Sequence, residues 1–267
     1  MRAAVALALV LGLCSVAAGA PGRRVYRGAR VTLDLKAAPV VEVLRVLADV
    51  GKINIVLADP PPPPLDIKVK GVPWDKVLDD VVRRSSLAYQ RAGNLLIVGS
   101  PDLIAKRNKA KKRAYKGRPI DLDVTNAEAP AAAKLLAIAG GMAVAIDGKG
   151  PQPAMLRLKK IPADQAAELL ALHTGTSLMV KEVPPVRLVA EGCIAETTQL
   201  KQLRLAGIAR SGTRAWALFI DPTGQAYVVT KGSCIGVGAT MINGFGAGSV
   251  SLDLGDAETS AELRPRP

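Results

Sequence analysis

The alternation of apolar and polar residues divides the chain into stretches with a common rhythm. Val31-Thr32-Leu33-Asp34-Leu35 alternates with period two, the pattern of a half-buried strand. Pro39 then opens a helix in which Val40, Val43, Leu44, Leu47 and Val50 recur at three and four residues, and Gly51 ends it. Ile53 to Leu57 predicts a second strand and Asp66 to Lys70 a third. Pro73-Trp74-Asp75 starts a second helix, with Val77, Leu78, Val81 and Val82 on one side. Leu87 to Arg91 and Leu95 to Val98 read as a hairpin around Ala92-Gly93-Asn94. The unit is a small sheet carrying two helices.

The same unit recurs. At a constant offset of 89, residues 31 to 90 fall on residues 120 to 179 without a gap. Val31, Leu33 and Leu35 meet Ile120, Leu122 and Val124; Gly51 meets Gly140; Lys70, Pro73 and Asp75 meet Lys159, Pro162 and Asp164. Apolar alternation alone could coincide by chance, but coincident Gly, Pro and Asp make two copies the better account. The second copy has Ala163 in place of Trp74, and its last strands, Thr176 to Val180 and Val186 to Glu191, are separated by Pro184-Pro185. Inside copy one, the run Pro60 to Pro64 predicts a stiff polyproline loop of about 15 Å.

Beyond residue 199 the pattern changes. Leu203 to Ile208, Trp216 to Ile220 and Ala226 to Val229 read as strands, with Asp221-Pro222-Thr223-Gly224 as a hairpin turn. A glycine-rich stretch to Gly248 precedes a last strand, Val250 to Leu254. The expected class is therefore α+β: two tandem small βαββαββ domains followed by a small all-β sandwich or barrel. The boundaries run 27–100 for copy one, 101–118 for a basic linker, 119–191 for a divergent copy two, 199–255 for the β-domain and 256–267 for a disordered tail.

Composition narrows the function. With 49% apolar residues the chain can bury real cores, and 3% aromatics do not supply the girdles of a membrane-spanning barrel. The formal net charge is +13, and eight positive residues with no acidic one crowd a single segment: Lys106, Arg107, Lys109, Lys111, Lys112, Arg113, Lys116 and Arg118. Arg2, an apolar run from Ala3 to Val16 and the small residues after it have the layout of a cleavable signal peptide, 1–18, which places the mature chain in the periplasm or outside. Lipidation at Cys14 ranks below cleavage, because Leu13 stands where a lipobox needs a small residue. Cys193 and Cys234 then remain, an even pair in an oxidising compartment and a disulfide candidate; two buried thiols are the alternative. His173 belongs to an apolar stripe near a helix end, and no catalytic constellation, metal set or cofactor motif accompanies it.

The runs VTLDLKAAPVVEVLRVLADVGKINIVLAD, DIKVKGVPWDKVLDDVV and NLLIVG resemble the secretin and TonB N-terminal short domain. Gly51 to Val56 and Val72 to Asp75 with Leu78 carry most of the likeness. The resemblance implies a protein-interaction module found at the periplasmic front of secretins and of some TonB-dependent receptors. Residues 199–255 resemble the β-domain of the PilP family of type IV pilus assembly proteins and its type II secretion relatives, through Ala217, Leu218, Ile220, Asp221, Pro222, Gly224, Gly232 and Gly236.

Together the two resemblances imply a non-catalytic periplasmic adaptor of a type IV pilus or type II secretion machine, contacting a secretin or inner-membrane platform proteins. Residues 199–267 are too few for a channel-forming domain, so an adaptor is expected rather than the channel. The alternatives are a TonB-receptor-like sensor and a cell-wall-binding protein acting through residues 106–118. Anionic lipid or cell-wall polymer ranks above nucleic acid as a ligand of that segment, since Tyr115 is its only aromatic residue.

Overall fold

The computed structural model describes residues 25–110, 114–179, 193–195, 197–253 and 260–263. The signal segment with Cys14, the basic residues Lys111, Lys112 and Arg113, and the strand expected at Val186 to Glu191 lie outside the described residues. Copy one comprises β1 (Arg30–Ala38), α1 (Val40–Gly51), β2 (Asn54–Leu57), β3 (Leu65–Pro73), α2 (Trp74–Arg84), β4 (Ala88–Ala92) and β5 (Leu95–Gly99). Helix α3 (Pro101–Lys109) leads to copy two: β6 (Pro119–Ala127), α4 (Ala129–Gly140), β7 (Ala145–Asp147), β8 (Ala154–Pro162), α5 (Ala163–Thr174) and β9 (Ser177–Met179). The C-terminal strands are β10 (Cys193–Ile194), β11 (Arg204–Ser211), β12 (Arg214–Ile220), β13 (Ala226–Thr230), β14 (Cys234–Ile235), β15 (Thr240–Phe245), β16 (Val250–Asp253) and β17 (Ser260–Leu263).

The chain is mixed α+β, as its pattern predicts, and the repeat is visible in the backbone. β1 and β6, α1 and α4, and β3 and β8 start and stop 89 residues apart. Left-handed backbone at Ala37, Lys52, Gly71 and Ser86 recurs at Asn126, Gly141, Lys160 and Gly175. Both antiparallel pairs, β1 with β3 and β6 with β8, carry register shifts at matching positions, so each copy bends its long strands alike.

The copies share apolar surface. In copy one, β2, β5 and β4 form a sheet in the order β2-β5-β4, with β2 parallel to β5. One face of it, through Leu57, Leu96 and Val98, packs on copy one's helices; the other, through Val56, Leu95 and Ile97, belongs to the core of copy two. This two-sided burial is why Leu95–Gly99 is an unbroken apolar run instead of an alternation.

The C-terminal strands, expected as a domain of their own, continue copy two's sheet. Its order is β13-β12-β11-β6-β8, with β11 antiparallel to β6. Side chains alternate across it, and the register shift between Leu205 and Gly207 puts Leu205 and Ile208 on the same face. Ala206, Ala209, Trp216, Leu218 and Ile220 join the core under α4 and α5, while Leu205, Ile208, Ala217 and Phe219 face a second core with Ile235, Ile242, Val250 and Leu252. That second core is closed by the sheet β10-β14-β15-β16-β17. The β-sandwich therefore has one sheet in common with copy two.

Two expected boundaries need correction. Residues 101–109, assigned to the linker, are helical: Pro101 occupies the first turn after Ser100, and Ile104 is buried. The tail expected to be disordered contributes β17, antiparallel to β16. The glycine-rich stretch, for its part, contains β15, whose Ile242 is buried.

Gly207 in β11 lies close against β6 and α4. A Cβ there would come 3.0 Å from the Asp123 carbonyl oxygen, 3.1 Å from Val124 and 3.3 Å from Leu135. Gly207→Val is expected to cost about 1–3 kcal/mol by overpacking, read as a lower urea midpoint. Gly244→Ala, where a Cβ meets nothing within 4 Å, should leave the midpoint nearly unchanged.

Candidate functional site

Cys193 and Cys234 are register partners in the parallel pair of β10 and β14; their Cα atoms are 4.5 Å apart and their sulfurs are bonded. The bond closes a sequence separation of 41 residues and ties β10 to the outer sheet of the sandwich. Such a cross-link contributes about 2–4 kcal/mol where its geometry is relaxed.

The basic residues have different settings. Lys106 and Lys109 are exposed on α3, and Lys116 and Arg118 are exposed just before β6. Arg107 instead turns inward, with its guanidinium 3.4 Å from Glu168 on α5.

The segment before β6 is a strap, and it has a counterpart before β1. Tyr115 donates to the Glu168 carboxylate at 2.8 Å, and the backbone N–H groups of Lys116 and Gly117 donate to Asp164 at 2.9 and 3.0 Å. One repeat earlier, Tyr26 donates to Asp79 at 2.8 Å, and the N–H groups of Arg27 and Gly28 donate to Asp75 at 3.1 and 3.3 Å. Neither glycine has room for a side chain: a Cβ on Gly28 would lie 2.5 Å from Trp74, and one on Gly117 2.6 Å from Asp164. Burial works to raise the Asp164 carboxyl, but the N–H groups of Lys116, Gly117 and Gln165 outweigh it and hold it below its ordinary value. The signal was legible as Tyr-Arg-Gly at 26–28 and Tyr-Lys-Gly at 115–117; a comparison begun at residue 31 misses it.

The seam between the copies is the most elaborate polar site among the described residues. Asn54, 3% exposed within an apolar strand, grips the backbone of β8. Its amide donates to the Lys159 carbonyl at 3.0 Å, and its carbonyl oxygen accepts from the Lys159 N–H at 2.6 Å. Beside it, Arg157 bridges Asp49 of copy one at 2.8 Å and Asp123 of copy two at 3.0 Å, and Lys159 pairs with Asp49 at 3.1 Å. Burial opposes the Arg157 charge, yet Asp123 and Asp49 prevail and raise its pKa.

His173, 2% exposed at the end of α5, completes the seam. Its Nε2 accepts from the Met155 N–H at 3.1 Å, so its Nδ1 carries the hydrogen and donates to the Leu57 carbonyl of copy one at 2.6 Å. The neutral imidazole therefore links the two copies. Burial, with a smaller push from Arg45, lowers its pKa from about 6.5 against the pull of the Leu57 and Pro153 carbonyls.

The pH dependence follows from that shift. The unfolded chain binds a proton that the folded chain resists, so this contribution is complete above a pH of about 6.5 and is lost as the pH falls toward the folded value. Urea midpoints of the full chain should decline from about pH 7 to about pH 5, and His173→Gln should flatten that decline. An unchanged slope would contradict the assignment.

Among the described residues no group of three or more His, Cys, Asp and Glu side chains is placed to hold a metal ion. No family model matches the sequence. Curated proteins do. DNA utilization protein HofQ of Escherichia coli K12 is 31% identical over 253 residues, covering 90% of this chain and 58% of that protein. Fimbrial assembly protein PilQ of Pseudomonas aeruginosa is 32% identical over 91 residues, 34% of this chain and 13% of PilQ. Type IV pilus biogenesis and competence protein PilQ of Neisseria meningitidis serogroup B is 28% identical over 93 residues, 35% of this chain and 12% of its own length. The chain thus spans less than two thirds of these relatives. HofQ and PilQ are secretin-family proteins, and the chain is their homologue over a region consistent with the secretin N-terminal short domain.

Proposed function

We propose that this chain is a non-catalytic, periplasmic contact region of a type IV pilus or type II secretion machine, binding a secretin or its inner-membrane platform proteins. The observation that carries this reading is the 253-residue match to HofQ, whose 90% coverage takes in both α+β copies and the C-terminal strands together. The proposal concerns what this stretch contacts; the relatives extend well beyond it.

The physical character of the fold supports contact over chemistry. His173, Arg157, Asp164 and Asp123 all hold one part of the fold to another. Small open sheets offer edge strands to partners, and several modules on one chain multiply weak affinities. Among the described residues no helix is long and apolar enough to cross a membrane. Exposed Lys106, Lys109, Lys116 and Arg118 provide a secondary contact for anionic lipid or cell-wall polymer.

Crosslinking of the chain in intact cells, followed by identification of the attached proteins, tests the reading. Recovery of a secretin or of a pilus or secretion platform protein is the expected outcome. Recovery of a TonB-receptor regulator in their place, or retention on purified cell wall alone, would overturn it.

A further inference from the structure

In copy two, β6 is hydrogen-bonded on both sides, by β8 and by β11, with Gly207 opposite Val124 and Ala209 opposite Leu122. Its counterpart β1 pairs only with β3 among the described residues. Side chains one repeat apart differ accordingly. Leu122 and Val124 are fully buried, whereas Leu33 and Leu35 are only half-buried. Leu135 on α4 is 0% exposed and packs against Gly207; the equivalent Val46 on α1 is 38% exposed, one of four exposed large apolar residues among those described. Copy one retains the floor and one wall of a strand site that no strand fills among the described residues.

We propose that the edge of β1 away from β3, unpaired among the described residues, receives an antiparallel strand from a partner protein of the envelope machine, with glycine or alanine at the two positions opposite Leu33 and Leu35. The inference rests on the contact function proposed above and names its surface. β11 supplies the template: its Gly207 and Ala209 take those positions opposite β6 because α4 lies over them. α1 lies over β1 in the same way, with Val46 where Leu135 stands. Backbone hydrogen bonds would supply affinity, and the alternate side chains selectivity. Asp34, paired with Lys68 at 3.5 Å, and the exposed Lys36 disfavour an indiscriminate apolar strand.

The probe is a labelled synthetic peptide with the sequence of residues 204–211, titrated into the full chain, whose own β6 edge is already filled. Saturable binding is expected, with slowed amide exchange at residues 30–38. Binding should weaken at least about tenfold when the chain carries Val46→Lys or the peptide carries Gly207→Leu. Absent binding, binding indifferent to both changes, or protection confined to other strands overturns the proposal. So does a dimer of the chain that Val46→Lys dissolves, since the occupant would then be a second copy. Undiminished crosslinking of a pilus or secretion protein to the Val46→Lys chain would sink this inference and leave the proposed function standing. Peptide docking at β1 without any such crosslinked protein would do the reverse.

Discussion

The pairing of β6 on both edges is the constraint on which the rest of the structure depends. A buried strand must pair its backbone N–H and C=O groups, and the central residues of β6, 122–124, are paired between β8 and β11. Once β11 lies there, its side chains are assigned: Ala206, Gly207 and Ala209 must be small beneath α4, while Leu205 and Ile208 point to the other face and need a cover. The second sheet is that cover, and the disulfide fastens its β10 strand to β14. The C-terminal unit is thus built outward from a copy-two strand.

The same logic explains how two copies of one fold came to differ. Copy one presents the three-stranded sheet β2-β5-β4, both faces of which are buried, one by its own helices and one by copy two. In copy two the described strands of the corresponding sheet are the pair β7 and β9, and further strands sit on the β6 edge. Asn54, His173 and the Arg157 ion pairs then fix the register of one copy on the other with directional bonds that apolar packing alone lacks. The strap before each copy adds a third kind of restraint, in which an aspartate at the start of a helix collects N–H groups from the preceding chain.

Much of this was legible in the sequence. Period-two and helical spacing located β1, α1, β2, α2 and their repeats, because each has one face in a core and one in water. The pairing of β11 with β6 was not legible, since strand partners about 80 residues apart leave no local mark. Helix α3 was hidden by its charge, because the density of Lys and Arg over 106–118 read as a basic linker. Asn54 within Ile53-Asn54-Ile55-Val56 was a visible anomaly, a polar side chain inside a buried strand, whose partner in β8 only the tertiary structure supplies. The cysteine pair and the basic residues were found by type and spacing, while their surroundings depended on sheet registers that composition does not encode.

The central claim is that copy two and the C-terminal strands are one cooperative body joined at β6. Hydrogen exchange of the full chain through a urea titration tests it most directly, by following the amides of residues 121–124 and 207–210 together with those of α4 and α5. The account predicts that these segments lose protection in a single transition. Loss of protection in β11, β12 and β13 at lower urea, with β6, β8, α4 and α5 still protected, would contradict it.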